Sequence, residues 1–326
     1  MIDLRPFQNI LILRTSALGD IVHALPFLSS LKKAYPEKKF FWLAKSPYAP
    51  LLEDNPYLEG FIPFTSFLNI GRLAREKRWE VCFDLQGLWR SAVIPLILRI
   101  PHRWGWSNPR EKVDFLYTAT FKSSSQHIVD RYLSWAETLG GERVAEFPLP
   151  ESDTYRKKAK EFFGSSQRRV VLVVGGGWET KRWGEEKFSL LARSLKKEKF
   201  SVFILWGPGE GEIKERIREK AGGEVTPFPL LDIRGMVEFL READLVVGGD
   251  TGPLHIASAL GKKIVGIYGP TDPLRNGPYT REREVITPSL ECVPCWKRKC
   301  PRKNLACMEE IEVGKVREAV ERLMDS

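Results

Sequence analysis

The sequence predicts an α/β protein made of two doubly wound, Rossmann-like domains that face each other across a cleft. Two observations predict this class. Short apolar runs alternate with stretches of helical periodicity along nearly the whole chain, which is typical of parallel sheets covered by helices. The alternation also restarts after a charged segment near the middle, and 326 residues are enough for two domains with a core each. Ligands are expected at the carboxyl ends of the strands.

The first half opens with a βα unit. Asn9 to Arg14 (NILILR) form a compact apolar strand, TSALGD follows, and a helical pattern then places Ile21, Leu25, Leu28 and Leu31 on one side. The next predicted strands are Lys39 to Ala44, Gly60 to Phe64 and Glu80 to Gln86.

A charged helix with few apolar positions, residues 152–167, separates the halves and follows the proline-bracketed FPLPE. We therefore predict an N-terminal domain over residues 1–153, a second domain over residues 154–307 and a C-terminal helix over residues 308–326.

The second half begins again with an apolar strand, RVVLVV, which ends in three glycines. The elements predicted after it are a helix from about Glu185, strand SVFILWGP, a helix containing IKERIREK, a short element from Val225 to Pro227, a further helix, strand LVVGGD and strand KIVGIYGP.

Two turns of the second half are lined by glycine and follow strands: GGGWETKRWG and GGDTGPLH. The free amides and partial positive charge at the start of a helix favour a phosphate. Gly176 and Gly177 would let amides approach a ligand closely, and Lys181 would bring an ammonium to a diphosphate. The alternative is a glycine-rich connection in which Asp250 caps the helix. The dinucleotide fingerprint would require glycine at Thr180, so the sequence disfavours NAD.

The net charge of +9 lies almost entirely in the second half. Its two main basic clusters lie within residues 156–169 and 297–303. They are either part of the solvated surface, or they attract an anionic membrane face or an acidic acceptor. The longest apolar run, SAVIPLILRIP, is broken by Pro95 and is too short to span a bilayer. The N-terminus lacks the cleavage site of a secretory signal, so we expect a cytoplasmic location.

Five segments, in order along the chain, resemble the bacterial heptosyltransferases of glycosyltransferase family 9. They are ILRTSALGDIVHALPFL, DLQGLWRSA, ETKRW, LWGPGE, and GGDTGPLHIASALG with YGPTDP. The resemblance implies the GT-B fold and transfer of heptose from ADP-heptose to the inner core of lipopolysaccharide. SNPREKVDFLYT and QHIVDRYLSWAETLG look more like heptosyltransferase I, which adds the first heptose to a Kdo residue, than the second-heptose enzyme.

The resemblance implies that Asp20, in the loop after the first strand, is the general base. A sugar hydroxyl that attacks an anomeric carbon must lose its proton as the nucleotide diphosphate leaves, and a nearby carboxylate accepts it. The implied transfer is inverting, independent of a metal and free of a covalent sugar–enzyme intermediate, so catalysis requires no cofactor. The alternative role of Asp20 is a helix N-cap, which is worth about 1 kcal/mol of stability.

The resemblance assigns the donor site to the second domain. Lys181 and the amides of Thr251 and Gly252 would neutralise the diphosphate. Glu210 would hold the ribose hydroxyls, or is an exposed turn residue, and Leu231 would line the adenine site. The whole implied set is Gly176, Gly177, Lys181, Glu210, Leu231, Asp250, Thr251, Gly252 and His255.

Two positions in this set leave a question open. The family carries hydroxyl residues where this chain has Gly176 and Gly177, which leaves only backbone donation there. Asp250 would either bind the heptose hydroxyls or orient Lys181.

Arginines of the first domain are the candidates for binding the acceptor, because a planar guanidinium pairs with a Kdo carboxylate or a lipid A phosphate. The candidates are Arg14, Arg90, Arg103 and Arg131, with Arg72, Arg75, Lys77 and Arg78 on a helix. Each is alternatively a surface residue or part of a structural ion pair. Gln86 and Gly87 are expected to line the floor of the cleft.

The implied partners are ADP-heptose, Kdo-lipid A and the inner face of the cytoplasmic membrane as a peripheral contact, with no nucleic acid. The alternatives are a second-heptose transferase and a non-catalytic basic phosphate-binding protein. In two-domain transferases of this type the last helix typically packs back on the first domain.

Four cysteines are clustered before the last helix: Cys292, Cys295, Cys300 and Cys307. A structural zinc ion, disulfides and reduced, packed thiols are three alternatives, and none of them implies catalysis. Cys82 stands alone in an apolar strand and is expected in the core.

Overall fold

A computed structural model describes residues 4–76, 78–223 and 225–326, with residues 74–76 described by their backbone alone. The chain forms two compact units, Met1–Pro150 and Glu151–Ser326. Each unit contains one six-stranded sheet in which all neighbouring strands are parallel. Both sheets have the spatial order third, second, first, fourth, fifth, sixth strand, which is the doubly wound order. The predicted α/β class with two doubly wound domains is confirmed.

The first unit follows the βα pattern that its apolar runs predict. Its strands are β1 (Asn9–Leu13), β2 (Lys39–Lys45), β3 (Gly60–Phe64), β4 (Val81–Asp84), β5 (His102–Trp106) and β6 (Ala119–Phe121). Its helices are α1 (Leu18–Ala34), α2 (Ala49–Leu52), α3 (Phe67–Glu76), α4 (Trp89–Ala92), α5 (Ile94–Ile97) and α6 (Ile128–Thr138). The inner strands are buried on both faces because helices cover both sides of a parallel sheet. Cys82, on β4, lies in this core as expected.

The second unit repeats the arrangement. Its strands are β7 (Arg169–Val173), β8 (Ser201–Leu205), β9 (Thr226–Pro227), β10 (Leu245–Gly249), β11 (Lys263–Ile267) and β12 (Arg283–Ile286). Its helices are α7 (Asp153–Phe163), α8 (Glu185–Lys197), α9 (Gly211–Lys220), α10 (Ile233–Arg241), α11 (Gly252–Ala259), α12 (Pro273–Asn276), α13 (Ala306–Glu309) and α14 (Val313–Asp325).

The last helix belongs to the second unit. Helix α14 packs on α8 and on β10, β11 and β12, within the second unit. Val316, Ala319 and Val320 are fully buried in the core that also holds Val247 and Val265. The apolar stripe of α14 therefore packs on its own unit's sheet, and the expectation that this helix also packs back on the first domain stays a prediction.

No helix in the described part of the chain is long and apolar enough to cross a membrane.

Candidate donor site and catalytic base

Asp250 stands at the carboxyl end of β10, between the strand and α11. Its side chain is only 4% exposed, with Oδ2 2.7 Å from Lys181 Nζ and Oδ1 2.8 Å from His255 Nε2. Burial would raise the pKa of Asp250, but the hydrogen bond and charge of His255, followed by the charge of Lys181, outweigh it and hold the pKa well below its usual range. The carboxylate is therefore ionised, and each of its oxygens is paired with one of these two side chains.

This geometry answers one question that the sequence left open. Asp250 orients Lys181, as one of its two predicted roles required. The alternative in which Asp250 caps the helix is wrong, because Thr251 occupies the N-cap position of α11.

Lys181 is carried to this position by the loop after β7. It ends a single helical turn, Glu179–Lys181, and its Nζ lies 4.4 Å from the centre of the Trp178 ring. A side chain at Gly249 would place its Cβ 2.5 Å from the Lys181 carbonyl oxygen, so only glycine allows this approach of the loop to β10. The ring and the buried Asp250 carboxylate together fix the direction of the ammonium.

The start of α11 offers amides beside that ammonium. The first N–H groups of a helix have no partner within it, and α11 begins at Gly252 after the N-cap Thr251. The Thr251 hydroxyl oxygen is buried and has no hydrogen-bond partner among the described residues. Free amides, a helix N-terminus and an oriented ammonium together form a site suited to a diphosphate.

Glu210 ties two strand ends together. Its Oε1 accepts a hydrogen bond from the Gly176 amide at 3.0 Å, and its Oε2 accepts one from the Gly207 amide at 2.7 Å. A Cβ at Gly175 would lie 2.0 Å from this carboxylate, so a larger residue there would displace the Glu210 side chain from these amides. The alternative in which Glu210 is exposed is wrong, because the residue is half-buried. The expected donation from the Gly176 amide to a phosphate is also wrong, because Glu210 already occupies that amide.

The other two predicted donor residues lie in open surroundings. A Cβ at Gly177 would meet no described atom within 4 Å, so a ligand can reach this backbone. Leu231, in the loop after β9, lines an open pocket of about 530 Å³ whose walls combine the rings of Tyr155, Phe162 and Phe239 with the charged side chains of Lys158 and Glu161.

Asp20 lies in the first turn of α1, near the carboxyl end of β1. Its Oδ1 is 2.6 Å from Arg14 Nη2, and its Oδ2 accepts a hydrogen bond from the Ala17 amide at 3.0 Å. The helix begins at Leu18 with Ala17 as its N-cap, so Asp20 is not the N-cap that the alternative required, although it binds the N-cap amide. The side chain remains 37% exposed, which leaves it open to a ligand.

Arg14 forms the other half of this arrangement. Its Nη1 donates to the Leu85 carbonyl oxygen at 3.1 Å, and its side chain is only 13% exposed. Burial opposes the charge of the guanidinium, but Asp20 outweighs it and raises the pKa of Arg14. Arg14 therefore forms the structural ion pair that the sequence left as the alternative, and its contact with an acceptor stays a prediction.

The loop after β4 supports the same region through Gln86, which the sequence singled out, and through Asp84, which it did not. Gln86 Oε1 accepts hydrogen bonds from the Thr15 amide and hydroxyl at 2.9 and 2.7 Å. Asp84 is buried and accepts bonds from Tyr117 Oη, from Ser91 Oγ and from the Gln86 amide. Burial raises the pKa of Asp84. Its position at the end of a parallel strand was the signal that could have revealed it.

The remaining arginines do not converge. Arg103 donates to three backbone carbonyl groups, which is the structural role that the sequence left as its alternative. The Arg131 guanidinium lies 4.9 Å from the centre of the Trp106 ring. Arg90, Arg72 and Arg78 are exposed. Lys77 and the side chain of Arg75 lie outside the described residues.

The four clustered cysteines are free thiols, so this structure does not support the disulfide alternative. They are close in space: burial first, and then the nearby Cys295, Cys292 and Cys300, raise the pKa of Cys307. The part of the chain that the structure describes holds no group of three or more His, Cys, Asp or Glu side chains arranged to bind a metal ion.

Comparisons with known proteins agree with these features. The sequence profile of glycosyltransferase family 9 (heptosyltransferase) matches residues 67–306. The lipopolysaccharide heptosyltransferase 1 of Pseudomonas aeruginosa is 29% identical over 90% of this chain and 87% of its own length.

Two solved structures show the same fold. One is the E. coli heptosyltransferase WaaC with ADP, with a TM-score of 0.74 and 24% identity over 97% of this chain and 100% of that one. The other is the E. coli ADP-heptose lipopolysaccharide heptosyltransferase II, with a TM-score of 0.79 and 22% identity over 97% of this chain and 98% of that one.

Proposed function

The chain belongs to glycosyltransferase family 9, the heptosyltransferases, and on that premise we propose that it transfers heptose from ADP-L-glycero-β-D-manno-heptose to a Kdo residue of nascent lipopolysaccharide. The observation that carries the proposal is the cluster of Lys181, Asp250 and His255 beside the first turn of α11. Family membership sets aside the alternative of a non-catalytic phosphate-binding protein.

The cluster suits the leaving group of this reaction. As the anomeric C–O bond breaks, its electron pair leaves with the diphosphate, so negative charge develops on the oxygen that departs. The Lys181 ammonium and the amides of Thr251 and Gly252 neutralise that charge, a task that a metal performs in other transferases. Because Asp250 and His255 hold Lys181 before the donor arrives, little reorganisation is needed during the reaction.

The nucleoside end of the donor has two candidate contacts. A carboxylate can accept about four hydrogen bonds, and Glu210 uses two of them for backbone amides, so it can still accept ribose hydroxyl groups. The pocket at Leu231 has aromatic and aliphatic side chains among its walls, and these could pack against an adenine ring.

Asp20 is the base of the proposed reaction. The Kdo hydroxyl attacks the anomeric carbon from the face opposite the diphosphate, and its proton passes to the Asp20 carboxylate. One displacement of this kind inverts the anomeric centre and leaves no sugar attached to the enzyme. Arg14 and the Ala17 amide hold the carboxylate in place, while its exposed fraction leaves room for the hydroxyl.

Removal of Arg14 tests this positioning role. We expect Arg14→Ala to lower kcat by about 10²-fold, because a base displaced by about 1 Å loses its alignment with the attacking hydroxyl. The KM for ADP-heptose stays unchanged, and added guanidinium ion restores part of kcat. The matched control is Arg143→Ala, which removes a surface arginine paired with Asp130 and Glu137 and is expected to leave kcat intact. A raised donor KM without a fall in kcat would contradict the role.

Chelation tests the independence from metals. We expect turnover to continue in excess EDTA, because the Lys181 ammonium and the α11 amides supply the positive charge for the diphosphate. Rates are measured with and without chelator, and a thermal melt checks that the protein stays folded. A complete loss of activity that divalent metal restores would contradict the proposal.

The acceptor is proposed to be Kdo-lipid A, presented at the inner face of the cytoplasmic membrane to a cytoplasmic enzyme that touches the lipid surface peripherally. Arg90, exposed at the start of α4, and Arg131 remain candidates for its anionic groups.

An acceptor panel tests the assignment. The protein is incubated with ADP-heptose and either Kdo-lipid A or an acceptor that already carries the first heptose, and the products are weighed by mass spectrometry. We expect a gain of one heptose on Kdo-lipid A. Transfer confined to the heptosylated acceptor would identify a second-heptose transferase instead.

A further inference from the structure

We propose that one face of the first unit docks the protein on an anionic lipid surface. This face is built by α3, α4, α5 and the turn Asp114–Leu116, and we call it the aromatic-basic face. The inference rests on the proposed function, since it names the surface by which the enzyme would reach a membrane-bound acceptor.

The face concentrates exposed apolar side chains. Of the ten large apolar residues that are exposed in the described chain, six lie on it: Phe67, Leu68, Trp89, Leu96, Ile97 and Phe115. Phe115 is 69% exposed and Trp89 is 49% exposed, and their ring centres are 5.6 Å apart. A contiguous patch of exposed apolar side chains indicates a binding surface, whereas single exposed apolar residues scattered over the surface are ordinary.

These side chains belong to one layer of the molecule. Helix α3 packs on α5, and α4 leads directly into α5. The turn that carries Phe115 is joined to α4 by the Trp89–Phe115 ring contact, and the Trp89 amide donates to Glu111 Oε2 at 2.7 Å. Ile94 and Ile70 fill the core beneath α5 and α3. The side chains on the opposite side of these elements therefore face away from the core of the first unit.

The face also holds the positive charge of its unit. Residues 67–116 contain nine Lys and Arg and five Asp and Glu, whereas the rest of residues 1–150 contains ten of each. Arg90, Arg99, Arg110 and Lys112 are exposed, and none of them forms an ion pair with another described residue. Each such cation strengthens binding to an anionic membrane.

A lipid surface fits this combination better than a folded partner does. Apolar side chains of different sizes alternate with cations, and a fluid interface accommodates them without a matching shape. Tryptophan and other aromatic rings settle at the level of the headgroups, while arginine and lysine reach the phosphates. Nucleic acid would use the cations but leave Phe115, Leu68 and Ile97 in water.

Vesicle sedimentation tests the proposal with the full chain. The probes are vesicles of phosphatidylethanolamine with phosphatidylglycerol, vesicles of phosphatidylcholine alone, and duplex DNA. We expect binding to the anionic vesicles, with at least tenfold weaker binding to phosphatidylcholine and to DNA.

Two variants locate the surface. Trp89→Ala with Phe115→Ala removes the aromatic pair, and Arg110→Gln with Lys112→Gln removes two cations; each is expected to weaken binding to the anionic vesicles at least tenfold. The matched control is Leu274→Ala with Trp296→Ala, two exposed apolar residues of the second unit, and it is expected to bind as the wild type does. Thermal melts confirm that all three variants fold.

Transfer to a water-soluble Kdo acceptor is measured in parallel and separates this proposal from the proposed function. Unchanged transfer with weakened vesicle binding in the two variants supports the aromatic-basic face. Vesicle binding that neither variant weakens, or DNA binding as tight as vesicle binding, overturns it. Absence of transfer by the wild type, with vesicle binding intact, would overturn the function and leave the docking surface standing.

Discussion

Replacing Asp20 by asparagine is expected to lower kcat by about 10²–10⁴-fold, the usual contribution of a general base. The amide has nearly the same shape but cannot take the proton from the acceptor hydroxyl. Binding of ADP stays unchanged, because the donor contacts that we propose lie on the second unit. Rates come from product formation at saturating donor, and ADP affinity comes from calorimetry.

The control for Asp20 is Asp130→Asn. Asp130 also lies in the first turn of a helix, α6, and also pairs with an arginine, Arg143. Asp130→Asn is therefore expected to change helix stability as Asp20→Asn does. Because Asp130 has no role in proton transfer, this variant is expected to keep full activity. If Asp20→Asn keeps most of its activity and loses only thermal stability, Asp20 is a structural residue of α1 and not the base.

Replacing Lys181 by methionine is expected to lower kcat by about 10²–10³-fold, which is the cost of losing one preorganised donor to a developing oxyanion. The same change leaves the buried Asp250 carboxylate without its cation, which costs about 3 kcal/mol of stability. Thermal melts and single-turnover rates measure the two effects on the same preparations.

A double variant separates these effects. Asp250→Asn added to Lys181→Met removes the uncompensated charge, so we expect stability to recover while the rate stays low. Lys187→Met is the matched control, because Lys187 binds backbone carbonyl groups of residues 308, 309 and 311 and touches no proposed donor contact. Recovery of the rate together with stability would contradict a direct role for Lys181.

The fold was predictable because its inner strands are continuous apolar runs. Both faces are buried in strands β1, β4, β7 and β10. Such strands consist almost entirely of apolar residues, and this pattern can be recognised in a single sequence. Strands β5, β6 and β12 were missed because they are short, lie towards the sheet edges and mix polar or small residues with apolar ones. The amphipathic pattern of α14 predicted a helix, but no pattern specifies which unit its apolar stripe meets.

The local chemistry of the site was predictable only in part. The glycine-lined turns marked the ends of β7 and β10, where Lys181 and Asp250 meet. Two contacts of the site could not be predicted: the hydrogen bond from the Gly176 amide to Glu210, and the ion pair of Arg14 with Asp20. In each pair, the distance between the two residues depends on how whole loops pack. The amino-acid composition does not predict which side chains contact each other in this way.

The anomeric configuration of the product tests the central claim most directly. The wild-type protein is incubated with ADP-L-glycero-β-D-manno-heptose and Kdo-lipid A, and the new linkage is determined by the one-bond carbon–proton coupling of its anomeric centre. Single displacement with Asp20 as base predicts one heptose in α linkage to Kdo. A β linkage, or no heptose on Kdo, would contradict the account.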